Sequence, residues 1–143
     1  MLIGQFALIA AAAFTGAAIY VTVAEQPARL ALDDEALLRQ WQSSYPRAAV
    51  MQASLALGSA LLGLAAYWSS GDWRWLVGAL ALLAAWPYTL LLIMPTNNAL
   101  KAMSMAEAGP QSSALIRRWG RLHLGRTTLG LVATALFAWA SIG

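Results

Sequence analysis

An all-α integral membrane bundle of four helices is the fold class this sequence predicts, and three observations carry it. Of its 143 residues 60% are hydrophobic and only 10% charged, whereas soluble domains carry about a quarter charged residues. Several apolar runs reach the roughly 20 residues that a membrane crossing needs. Proline, glycine and charge separate those runs into four, at approximately 2–24, 47–68, 73–94 and 113–142. Mean hydropathy is +0.61, and the length suits one domain with no separate soluble part.

The first run continues past Tyr20 with no basic residue ahead of it, so it reads as a retained span rather than a secretory leader. Ala12, Gly16 and Tyr20 recur at i, i+4, i+8 and predict a face on which another helix can approach closely. Glu25, Gln26, Pro27 and Arg29 follow, and Pro27 is expected to break the helix there. In LDDEALLRQWQSSYPR, Asp33 or its neighbour can cap, Asp34 and Glu35 suit the first turn, and Leu37, Leu38, Trp41 and Tyr45 form an apolar stripe. That pattern predicts a short amphipathic helix lying on the membrane or against the bundle. Pro46 then suits the first turn of a second span, in which Ser54, Gly58, Ser59 and Gly63 offer small faces and Gln52 is the strongly polar interior residue.

Ser69, Ser70, Gly71 and Asp72 make a short turn, which forces spans two and three to be antiparallel neighbours. Trp68, Trp73 and Trp75 flank it as an aromatic belt. Span three ends in WPYTLLLIMPTNNAL. Pro87 should bend it, and Pro95 should stop it, with Thr96, Asn97 and Asn98 as caps for a new short helix closed by Gly109 and Pro110. The fourth span starts after Ser112 and Ser113 and is long enough for its first turns to project from the membrane.

Arg29, Arg39, Arg47, Lys101, Arg117, Arg118, Arg121 and Arg126 fall on or near one side, and Arg74 alone on the other. The bias of basic residues toward the cytoplasm places both termini outside, and a bacterial inner membrane fits so compact a chain. The net charge of +3 thus reflects topology, and no nucleic-acid partner is expected. With no cysteine, thiolate metal sites and iron–sulfur clusters are excluded. One histidine cannot supply a His-rich metal site. No phosphate loop, dinucleotide fingerprint or nucleophile elbow is present. No cofactor is expected, although haem ligation by His123 alone stays open.

Trp119, His123 and Arg126 recur at i, i+4, i+7 on one face of the last helix. Antiparallel threading brings them to the height of Thr96, Asn97 and Asn98, of Tyr20 and Glu25, and of Arg47 and Gln52. A charge as deep as Arg126 costs a few kcal/mol unless it snorkels or finds a partner such as Glu25. Each of these residues also has a bland reading: Asn97 and Asn98 as caps, His123, Trp86 and Tyr88 as packing residues, and Arg117, Arg118 and Arg121 as headgroup contacts.

WPYT with MPTNNAL in span three, WGRLHLGRTTLG in span four, the early G-x3-Y and the PARLAL after span one together resemble the small four-span membrane family that contains the anthrone oxygenases. The likeness covers nearly the whole chain. It implies Asn97, Trp119, His123 and Arg126 as motif positions, supported by Thr96 and Leu100, and oxidation of a tricyclic anthrone by dioxygen without a dedicated cofactor. On that reading His123 is the base, Arg126 stabilises the oxyanion, Asn97 orients the ketone, Trp86 or Trp119 stacks on the ring, and Tyr20, Glu25 and Gln52 complete the site. The competing class is a non-catalytic module that binds a quinone, a lipid or a partner subunit. A homodimer through the small-residue faces is a further expectation.

Overall fold

A computed structural model describes residues 1–143 as helices without strands. Four are long: α1 (Leu2–Leu30), α2 (Asp34–Ser70), α3 (Trp73–Ala102) and α4 (Pro110–Ile142). They form an antiparallel bundle in which α1 packs on α2, α2 on α3, α3 on α4 and α4 back on α1. The first three are long and apolar enough to cross a membrane. The fourth falls short of that description because Arg117, Arg118, Arg121 and Arg126 occupy its first half.

Two apolar cores stack along the axis. The one nearer the termini is built on small residues, with Ala7, Ala11, Ala56, Ala60, Ala79 and Ala133 around Phe14, Trp75, Leu82 and Phe137. Phe137 fits only because glycine faces it: a Cβ on Gly63 or Gly78 would lie 2.5 Å from its ring. Ser59 Oγ donates to the Ala7 carbonyl at 2.8 Å and ties α2 to α1. The second core gathers Leu37, Leu38, Trp41, Ile93, Leu100, Ile116 and Trp119 at the basic end.

The turn between α2 and α3 is as expected. Gly71 closes α2 at φ 72°, the left-handed conformation glycine adopts freely. Asp72 caps α3 by accepting from the Arg74 N–H. Asp33 caps α2 by accepting from the Ala36 N–H at 2.9 Å.

Proline terminates less than its chemistry suggests. The short amphipathic helix and span two are one 37-residue helix with Pro46 inside it. An interior proline costs about 3 kcal/mol, but continuity buries Leu37, Leu38 and Trp41 against α3 and α4, each contributing about 1.5–3 kcal/mol. The amphipathic stretch therefore lies against the bundle. Pro27 and Pro95 also fail to end their helices. Each follows a widened π-type turn, Val21–Glu25 in α1 and Thr89–Ile93 in α3. Widening the turn relieves the clash between the proline ring and the carbonyl one turn earlier. Thr96, Asn97 and Asn98 consequently cap nothing, and no side chain caps the segment beginning at Met94.

Three smaller expectations change as well. Ala12, Gly16 and Tyr20 face outward, because α1 packs through Ala7, Ala11, Phe14 and Ala18 instead. Trp75 is a core residue against Phe137, while Trp68 and Trp73 remain exposed. After Ala102 the chain makes a 3-10 turn, Met105–Glu107, and Pro110 starts α4 rather than closing the preceding helix.

Candidate functional site

Both π-type turns lie at the level where the two cores meet, and polar side chains from all four helices converge there. His123 and Arg126 come from α4, three residues apart and therefore on one face. Thr22 Oγ1 back-bonds to the Ala18 carbonyl at 3.1 Å, and Thr127 Oγ1 approaches the same oxygen at 3.5 Å. Together with Thr15 against Thr134, 2.8 Å apart, these rungs fix α4 against α1. The His123 Nε2 is buried and has no hydrogen-bond partner.

Trp119 stacks on His123, with ring centroids 5.1 Å apart and planes 17° apart. The Arg29 guanidinium sits 5.5 Å from the Trp119 ring centroid, a cation–π placement. Across from them Trp41 and Tyr45 stack at 4.7 Å, both edge-on to Trp119. Asn97 Nδ2 donates to the Tyr45 hydroxyl at 2.6 Å, which leaves the phenol proton free to be given elsewhere.

These side chains enclose a small chamber of about 20 Å³, walled by Val21, Glu25, Arg29, Tyr45, Gln52, Trp119, His123 and Arg126 among others. It shares Tyr45, Ala49 and Arg126 with a neighbouring groove of about 160 Å³ lined by Ala53, Ala85, Trp86, Thr89, Leu90 and Met94. The chamber holds a group of about one water's size. Only the groove is roomy and apolar enough for part of a ring system. A wider recess of about 870 Å³ outside Glu25 is lined mostly by charged and polar side chains of α2 and its cap, such as Asp33, Glu35, Arg39 and Arg47. It is an open polar face rather than a site.

Charge in the chamber is unbalanced. Glu25 pairs with Arg29 one turn later at 2.5 Å and accepts from Gln40 Nε2 at 3.1 Å. The expected pairing of Glu25 with Arg126 is therefore not formed. Arg126 has no carboxylate within ion-pair distance, only 9% of its surface is exposed, and its guanidinium lies 5.7 Å from the Phe14 ring centroid. Its Nε is unpartnered, as are Arg29 Nε and Nη1, Gln52 Oε1 and Trp119 Nε1. These residues all line the chamber, which makes its wall a candidate site for a polar ligand.

Of the residues singled out from sequence, His123, Arg126, Trp119, Glu25 and Gln52 line the chamber, and Trp86 lines the groove. Asn97, fully buried, stands behind Tyr45 and acts through it. Thr96 is buried in α3 but lines neither space. Tyr20, 60% exposed, points away from the chamber toward an outer recess. Arg47 is exposed and bonds back to Ser43. Sequence reasoning missed Arg29 and Tyr45. The signal for Arg29 was its spacing of four from Glu25, hidden because α1 was expected to end at Pro27.

No curated protein matches this chain, and no solved structure does. The anthrone oxygenase family model matches residues 41–136, about two thirds of the chain. That stretch holds Tyr45, Gln52, Trp86, Asn97, Trp119, His123 and Arg126, and only Glu25 and Arg29 of the charged cluster precede it. The chain belongs to the anthrone oxygenase family.

Proposed function

We propose that this protein is an integral membrane oxidoreductase that oxidises a lipophilic phenolic aromatic with dioxygen, in the manner its family's name describes. The observation that carries the reading is an apolar groove sharing Tyr45, Ala49 and Arg126 with a chamber that holds a free imidazole nitrogen and an unpaired guanidinium. The ring system lies in the groove against Trp86, and one polar edge enters the chamber, which is too small for more. His123 and Arg126 therefore act on the same edge.

An anthrone is in equilibrium with its enol. His123 Nε2 accepts the enol hydroxyl proton, while the opposite ring nitrogen stays protonated. Arg126 pairs with the oxyanion, and the Tyr45 hydroxyl, oriented by Asn97, donates to it. The electron-rich ring then passes an electron to dioxygen, and the two radicals join as a carbon–oxygen bond at the opposite ring carbon. The resulting peroxide takes a proton and loses water together with the hydrogen on that carbon. Anthrone and dioxygen become quinone and water, and the histidine is restored. All electrons come from the substrate, so the balance needs no cofactor.

The outer surface supports a bilayer setting. Phe6, Ile9, Val50, Leu61, Leu80, Leu91 and Leu131 are exposed, and Trp86 and Leu90 open the groove sideways onto that apolar surface. Substrate would reach it laterally from lipid. The basic residues of the connecting segments cluster at the chamber end, supporting a cytoplasmic placement of that end, both termini outside, in a bacterial inner membrane.

Oxygen uptake by the purified protein in non-ionic detergent with a simple anthrone tests the activity. Uptake above protein-free autoxidation that disappears in His123→Ala is expected. No enhancement over buffer would overturn the oxygenase reading in favour of a quinone- or lipid-binding module.

A further inference from the structure

The mechanism above uses one guanidinium, yet the chamber has two. Arg29 is 3% exposed and spends only Nη2 on Glu25 and Ser44. Its Nε and Nη1 are buried with no acceptor. Guanidinium groups stay charged in proteins. With Arg126 also unpaired, the chamber wall carries two cations against one carboxylate. Burying that excess is costly unless a ligand supplies the missing negative charge.

We propose that Arg29 forms an anion subsite and that the substrate is an aromatic carboxylic acid, its carboxylate on the same ring edge as the reacting oxygen. The inference rests on the functional reading above and names its substrate class. Its geometry follows from size. A chamber of about 20 Å³ admits one oxygen of the acid and no ring, so the acid must project from the edge of the ring system that faces Arg126, with its second oxygen at the chamber mouth. A carboxylate matches the guanidinium in charge and hydrogen-bonding shape. Gln52, whose amide lines the same wall, can turn its NH2 group toward a second carboxylate oxygen. Glu25, already on Arg29, is the internal competitor for the incoming acid.

The test is binding of a non-reacting pair of probes, anthraquinone-1-carboxylate and its neutral carboxamide, to the full chain in non-ionic detergent, read by titration calorimetry. The wild type should hold the carboxylate about tenfold or more tighter than the amide. Arg29→Gln should bring the ratio near one while amide affinity holds, and Arg29→Lys should keep most of the preference. Retained amide binding shows that a variant is folded. Should Arg29→Gln not fold, Glu25→Gln decides, because removing the competitor should raise carboxylate affinity several-fold and leave the amide unchanged. Equal affinities in the wild type, a preference that survives Arg29→Gln, or no response to Glu25→Gln would each overturn the proposal. Oxygen uptake separates this inference from the reading beneath it. Turnover without charge preference overturns the anion subsite alone, and charge preference without turnover overturns the oxygenase reading while the subsite stands.

Discussion

Replacing Arg126 by methionine should stabilise this protein and disable it. The guanidinium is nine-tenths buried, has no carboxylate partner and leaves Nε unsatisfied. Placing an arginine at the centre of a membrane helix costs about 2.5–3.5 kcal/mol. Its stacking over Phe14 returns about 0.5–2 kcal/mol. Methionine has similar length and no charge, so Arg126→Met should gain about 1–3 kcal/mol, at about 3 °C in Tm for each kcal/mol in a chain of this size. Losing the oxyanion partner should at the same time lower kcat about 10²–10³-fold. Thermal unfolding followed by tryptophan fluorescence, with oxygen uptake on the same preparation, reads both. Arg29→Met is the contrast, since it strands Glu25 and should lower Tm. A fall in Tm for Arg126→Met as large as that for Arg29→Met would show that Arg126 holds the bundle together, and the argument from its unpaired charge would fail.

Other outcomes follow from single contacts. Asn97→Ala removes the donor to the Tyr45 hydroxyl and should cost about 1–2 kcal/mol of stability. It should lower kcat more than it raises KM, because Tyr45 loses its orientation but the groove is intact; a KM effect alone would place Asn97 in binding. Gly78→Ala sets a Cβ 2.5 Å from the buried Phe137 ring and should destabilise by about 1–3 kcal/mol, partly recovered by Phe137→Leu. Gly16→Ala meets nothing within 4 Å and should be neutral or stabilising by up to about 1 kcal/mol. The melting curve of Gly78→Ala should therefore shift down, while that of Gly16→Ala stays in place or shifts up. Glu107 accepts from the Ser104 N–H at 2.6 Å, and that bond, then the Ser104 side chain, holds its carboxyl below the ordinary value of 4.5. A depressed folded-state value means the bond contributes above the ordinary range and is lost as pH falls through the lowered one. The protection factor of the Ser104 amide, measured by hydrogen exchange, should drop in that acidic window and hold steady above it.

Helical class, four apolar runs, the tight turn at Gly71 and the stripe of Trp119, His123 and Arg126 were all legible in the sequence. They depend on hydropathy, on glycine's left-handed conformation and on the 3.6-residue repeat, which are local properties of a chain segment. The ends of helices were not legible in the same way. Pro27, Pro46 and Pro95 each signal a break locally, and each lies inside a continuous helix. The decision was tertiary: continuity buries Trp41, Leu37 and Leu38, and a widened turn before Pro27 and Pro95 removes the clash that would have stopped the chain. Because α1 continues past Pro27, Arg29 is delivered over Trp119 instead of into solvent, and Glu25 is claimed by Arg29 instead of Arg126. Pairing among three charges on two helices depends on distances across the bundle, which no spacing along one helix contains. The sequence could name the groups that reach the chamber's level, but only packing between helices determined which of them are left unpaired there.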